Sequence, residues 1–218
     1  QEINQDLIGL IGHSEGGIIA SMAAVRSPDV GFIVLLASPG MAIKDMEYSE
    51  QARALKAKGA GENLVTRSRT VQDSLFAVVE QEKDERIVEK KMTSIITDFF
   101  KGLKEEERKI IGITKENLGA YIHDQFKRLN SPWFRFYLPF DPGDVLQKVK
   151  CPVLALNGEK DIQVTSKENL RAIEGALRKG GNINFKTIEL PDLNHLFQTA
   201  ETGEISEYSK IEETISPA

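Results

Sequence analysis

The rhythm of apolar residues in this chain changes twice. Leu7-Ile8-Gly9-Leu10-Ile11 and Gly31-Phe32-Ile33-Val34-Leu35-Leu36 are short apolar runs without alternation. Such runs predict strands buried on both faces, as in a parallel sheet. Between them, Ile18 to Val25 is small and apolar and stops before Ser27-Pro28, which predicts a buried helix ended by proline. Ala37-Ser38-Pro39-Gly40 closes the second run with a turn signal. Strand, helix and strand within about thirty residues make a βαβ unit with parallel strands.

From Lys44 to about Asn130 the strand signals stop and charges rise. Tyr48, Ala52 and Leu55 recur at helical spacing, as do Val71, Leu75, Val78 and Val79. So do Ile95, Ile96, Phe99, Phe100 and Leu103, and then Leu118, Tyr121, Ile122, Phe126 and Leu129. One apolar stripe per group predicts roughly three to five amphipathic helices, inserted between sheet strands. The charged run from Glu80 to Lys91 reads as a solvated helix face or junction. The α/β pattern then resumes. Pro152 to Gly158 predicts a strand ending in a turn, Ser166 to Leu177 a helix closed by Lys179-Gly180-Gly181, and Ile183 to Leu190 an alternating strand nearer a sheet edge. The expected fold is α/β, a mainly parallel sheet. Its core is residues 1–43 and 131–218, interrupted by a helical insertion over 44–130.

Composition narrows the function classes. The 218 residues are 40% apolar and 28% charged, an ordinary globular balance. The net charge of −5 gives no basic excess for a nucleic-acid partner. No apolar run approaches the roughly 20 residues that span a bilayer. Cys151 is the single cysteine, so no internal disulfide forms, and at a strand start it is expected to be inert. Three histidines would make a metal site only if they converged, and no metal or organic cofactor is expected. The sequence opens at Gln1 without an initiator Met and stops at Ser216-Pro217-Ala218, which is read as a piece of a longer protein. The compartment is therefore not indicated.

The chemistry sits where strands end. Gly12-His13-Ser14-Glu15-Gly16 matches G-x-S-x-G between a predicted strand and a predicted helix. Turning from strand to helix at one residue puts Ser14 in a strained conformation with its hydroxyl exposed. Gly12 and Gly16, two positions to either side, are expected to be small so that nothing collides. The Glu15 N–H, at the helix N-terminus, points toward developing negative charge. A serine needs a base, and the base needs an orienting acid. His13 is in the same turn as Ser14 and is expected to pack beside it, and His123 falls inside a predicted helix of the insertion. His195 follows the last strand, where a parallel sheet places catalytic groups. Asp161, after the strand from Pro152, is the first candidate for the acid, Glu159 the fallback and Asp192 a third carboxylate. The order Ser14, Asp161, His195 is that of an α/β-hydrolase.

Gly12-His13-Ser14-Glu15-Gly16-Gly17, Leu156-Asn157-Gly158-Glu159-Lys160-Asp161 and Leu193-Asn194-His195 resemble a bacterial α/β-hydrolase. The similarity is to esterase-like hydrolases near the serine aminopeptidase and acyl-hydrolase branches. It implies Ser14 as nucleophile, His195 as general base, Asp161 as orienting acid, and a helical cap over residues 44–130. Ser14 where an Asp or a Cys would stand disfavours the dehalogenase and dienelactone hydrolase branches. The resemblance also implies several strands before the elbow strand, whereas six residues precede Leu7. The second oxyanion donor is expected in that preceding part. The Leu7–Ile11 strand would then be an apolar edge open to pairing with another chain, a homodimer being one such pairing.

The function expected is hydrolysis of a small ester or acyl substrate through a Ser-His-Asp triad. A serine aminopeptidase is the alternative, with Glu80, Glu82 and Glu85 available to hold a peptide terminus, and an impaired fragment acting as a binding module is another. The aromatic segment from Ser131 to Phe140 is expected to link insertion and core, either packing them together or lining a pocket.

Overall fold

In the computed structural model, which describes residues 8–217, the first βαβ unit forms as β1 (Gly9–His13), α1 (Glu15–Arg26) and β2 (Phe32–Leu36). Leu7, the first residue of the expected strand, lies outside the described residues. β1 extends through His13 because Gly12 and His13 still pair with Leu35 and Leu36. After a helical stretch come α8 (Pro142–Leu146), β3 (Val153–Gly158), α9 (Ser166–Lys179) and β4 (Phe185–Leu190). A short 3₁₀ turn spans Ile205–Lys210. The four strands lie in the order β1-β2-β3-β4, all parallel.

The chain divides into two compact units, Gln1–Ile43 with Asp141–Ala218, and Lys44–Phe140. The helical unit thus runs past Asn130, where the stripes end, to Phe140.

In the α/β unit one set of side chains faces the helices. Ile33, Leu35, Val153 and Ala155 pack with Ala20 of α1, Leu146 of α8, and Leu170, Ile173 and Leu177 of α9. Each fully buried aliphatic contributes about 1.5–3 kcal/mol. Among the described residues the sheet is covered unevenly, not fully on both faces as its unbroken apolar runs suggest: on the second face Leu36, Leu156 and Leu190 pack against Ala37, Leu193 and Phe197. Within the unit α1, α8 and α9 all use the same face, and Ile11, one residue out of phase, is 70% exposed.

The helical unit comprises α2 (Ile43–Ala57), α3 (Glu62–Gln81), α4 (Glu85–Lys101), α5 (Glu105–Ile111), α6 (Leu118–Leu129) and α7 (Pro132–Tyr137). The charged run around Glu82 is the α3–α4 junction. Asp84 caps α4, its carboxylate accepting from the Arg86 N–H at 2.9 Å. Val88, Met92, Ile96 and Phe100 form the buried stripe of α4. Val88, Met92 and Ile96 join Tyr48, Phe76, Leu129, Phe134 and Leu138 in one core. The aromatic segment is therefore part of this unit: Ser131 caps α7, Pro132 opens it, and Phe134 is fully buried within it.

Candidate active site

Ser14 lies between β1 and α1 with φ 54° and ψ −123°, a backbone region that costs a residue with a side chain about 1–3 kcal/mol. The surroundings hold it there. Its N–H donates to the Leu36 carbonyl at 2.8 Å, and its carbonyl accepts from the Gly17 N–H at 2.9 Å. A Cβ at Gly12 would stand 2.1 Å from the Gly16 carbonyl oxygen, which explains the first glycine. Gly16 differs from the expectation, because a Cβ there meets nothing within 4 Å. The second close approach is at Gly17 instead, where a Cβ would fall 2.3 Å from the Ser38 hydroxyl. Ser14 is half-buried. Glu15 is the first residue of α1, at the positive end of the helix dipole.

The acid and histidine loops come together at the ends of β3 and β4. Asp161 and His195 are 3% and 6% exposed. The His195 Nδ1–H donates to Asp161 Oδ2 at 2.8 Å, the ring proton following from the carboxylate being an acceptor only. The other oxygen, Oδ1, accepts from the N–H groups of Gln163 and Val164, each at 2.9 Å. Both carboxylate oxygens are thereby fixed. Glu159 and Asp192 are directed elsewhere: Glu159 accepts from the Asp192 N–H, and the Asp192 carboxylate pairs with Lys160 at 2.7 Å. That hydrogen bond raises the pKa of the Lys160 ammonium.

Asn194 braces the histidine loop. Its Oδ1 accepts from the N–H groups of Leu196 and Gln198 at 2.9 and 3.0 Å, and its Nδ2 donates to Gln198 Oε1 at 3.0 Å. The loop is tight enough to place Asp192 and Phe197 at φ 60° and 61°. It also runs against Gly158, where a Cβ would sit 2.2 Å from the Leu193 carbonyl oxygen.

His13 connects the elbow to this loop. Its Nε2–H donates to the His195 carbonyl at 2.7 Å, and the two rings stand 4.8 Å apart. The sequence singles out His13 only as a neighbour of Ser14, and nothing local reveals a contact 182 residues away. Among the described residues, the Ser14 hydroxyl makes no hydrogen bond to His195. The link between the elbow and the histidine loop is His13, the residue before Ser14. With Nδ1–H engaged by the carboxylate, Nε2 of His195 keeps the lone pair that can accept a proton.

Other candidates lie outside this cluster. His123 is exposed on α6. Cys151 is half-buried, and burial pushes its thiol up, away from the reactive thiolate. Among the described residues no three His, Cys, Asp or Glu side chains are grouped to hold a metal, and no helix is long and apolar enough to cross a membrane.

Four parallel strands, an elbow after β1, and acid and histidine loops after β3 and β4 fit the α/β-hydrolase fold. No protein-family model and no curated protein matches the chain. Similar solved structures include an esterase of Pyrococcus furiosus, at 16% identity, TM-score 0.40, with 84% of this chain and 45% of that one covered. A proline iminopeptidase of Mycobacterium smegmatis is similar at 14% identity and TM-score 0.41, with 93% and 61% covered. An esterase from a Rhodococcus species is similar at 18% identity and TM-score 0.36, with 91% and 60% covered. The chain spans between 45% and 61% of the length of these structures. At such scores their activities do not carry over to this chain.

Proposed function

We propose that this chain carries the serine, histidine and acid of a carboxylic ester hydrolase. The observation that supports it most is the buried pairing of His195 Nδ1 with Asp161 Oδ2 at 2.8 Å, tied through His13 to a strained serine elbow. In this reading Ser14 Oγ attacks the ester carbonyl carbon and His195 Nε2 takes the hydroxyl proton. The carbonyl oxygen becomes the oxyanion, facing the Glu15 N–H. Collapse breaks the bond to the alcohol, which leaves with the proton from His195. Water then attacks the acyl-serine, giving a proton to His195; the bond from the acyl carbon to Oγ breaks, His195 passes that proton to Ser14 Oγ, and the acid is released. Asp161 holds the proton on Nδ1 throughout.

The ester reading is preferred over an aminopeptidase for a specific reason. Two of the acids available to hold a peptide amine are already paired, Glu80 with Lys44 at 2.8 Å and Glu82 with Lys91. A fluorophosphonate probe tests the reading, because it labels only a serine whose hydroxyl is activated. Labelling at Ser14, absent in Ser14→Ala and strongly slowed in His195→Ala, together with p-nitrophenyl acetate turnover lost in both variants, is the expected result. Turnover at the parent rate in either variant removes the mechanism.

A further inference from the structure

Helix α3 buries two polar side chains inside an apolar stripe. Its buried residues are Leu64, Ser68, Gln72, Leu75, Phe76 and Val79. Ser68 is 4% exposed and Gln72 is 7% exposed, and their spacing puts them on the same face, one turn apart. Among the described residues, neither Ser68 Oγ nor Gln72 Oε1 has a hydrogen-bond partner. The Gln72 amide nitrogen donates to the Glu47 carbonyl at 3.3 Å, which fixes the orientation of the amide and leaves the carbonyl oxygen as the orphan. Buried polar atoms without partners destabilise a fold, and each asks for an explanation.

Both side chains line one cavity of about 70 Å³ inside the helical unit. Leu75, Phe76, Ile96, Phe99 and Leu129 supply much of its apolar wall. Gln51, Tyr121, Gln125 and Arg128 line it too, so polar groups make up about half of the wall, and the Arg128 guanidinium is neutralised by Glu47 at 2.6 Å and lies 5.0 Å over the Phe134 ring. The space admits roughly five to seven water-sized groups at ~10–15 Å³ each. Water could satisfy the polar pair, yet it would leave the apolar remainder unfilled. A ligand matching the whole cavity needs a small apolar body and one group that both donates and accepts.

We propose that this cavity binds a small neutral amphiphile with a single hydroxyl, which donates to Gln72 Oε1 and accepts from the Ser68 hydroxyl. The site lies wholly within Lys44–Phe140 and does not depend on the reading of Ser14. Phenol and toluene test it, since they match in size and differ in the hydroxyl. The full chain is titrated with each, followed by calorimetry and by amide NMR shifts. Phenol is expected to saturate the site at millimolar concentration and to bind at least about fivefold tighter than toluene, the worth of one net hydrogen bond. Ser68→Ala and Gln72→Met are each expected to weaken phenol about fivefold while leaving toluene unchanged or tighter. Retained toluene binding or an unchanged amide spectrum shows that a variant still folds. Absence of saturable phenol binding, equal affinity for the two probes, or a phenol preference untouched in both variants overturns the proposal.

Discussion

Replacing Asp161 by asparagine changes one atom and, in this structure, reverses the proton on the histidine. The Oδ1 atom accepts two backbone N–H groups, from Gln163 and Val164, each at 2.9 Å. An asparagine keeps those bonds only by placing its carbonyl there, because an NH₂ group cannot accept. The NH₂ group then faces His195 Nδ1, where Oδ2 now stands at 2.8 Å. Two donors cannot face each other, so Nδ1 must become the acceptor and the proton moves to Nε2. In the proposed mechanism that is the atom that takes the proton of Ser14. A tautomer trap of this kind costs about 10⁴ in turnover in a serine protease, or about 5 kcal/mol at 1.36 kcal/mol per decade. Folding should suffer far less. Both backbone bonds survive, and the loss of one charge-assisted bond is worth about 1.5–3 kcal/mol. The assay is p-nitrophenyl acetate turnover beside a urea titration of the same preparations. A ~10⁴-fold loss of rate with the cooperative transition retained is the expected pair of results. Parent-like turnover in Asp161→Asn would refute the orienting role, and a rate loss matched by loss of the folded state would refute the tautomer argument.

Three further outcomes follow from the same geometry. Ser14→Gly should raise stability by about 1 kcal/mol or more, because glycine relieves the φ of 54°, while abolishing turnover; a lower urea midpoint would contradict the strain. Gly158→Ala forces a Cβ to within 2.2 Å of the Leu193 carbonyl and should cost about 1–3 kcal/mol. Its melting temperature and fluorophosphonate labelling rate should fall together, and an unchanged pair would show that the acid and histidine loops do not depend on this close approach. Burial and the Asp73 carboxylate push the Tyr48 phenol well above its usual range. Its neutral form is therefore favoured in the folded state, so this stability is present below about pH 10 and is lost above it. Melting temperature should fall more steeply above that pH in the parent than in Tyr48→Phe, and parallel curves would rule out the phenol as the cause.

Elements built from neighbours in the chain were legible in the amino acids alone. The runs before Gly12 and Ala37 announce strands, and the G-x-S-x-G between strand and helix announces a strained turn. Propensity and steric demand act over a few residues, so they can be read locally. Contacts across long separations could not be read this way. Asp161, Glu159 and Asp192 are all carboxylates near strand ends, and only the parallel register of β3 and β4, with the Asn194-braced loop, brings Asp161 to His195. The tie from His13 to the His195 carbonyl, the contact at Gly17 rather than Gly16, and the open face carrying Ile11 likewise depend on which distant segment packs where. Ser68 and Gln72 look like ordinary surface polar residues in the sequence, and only the closing of the helices around them makes them buried and unpartnered. Hydrophobic periodicity reports which side of an element is apolar, but what meets that side is decided by the assembled chain, because burial and pairing are properties of neighbours in space.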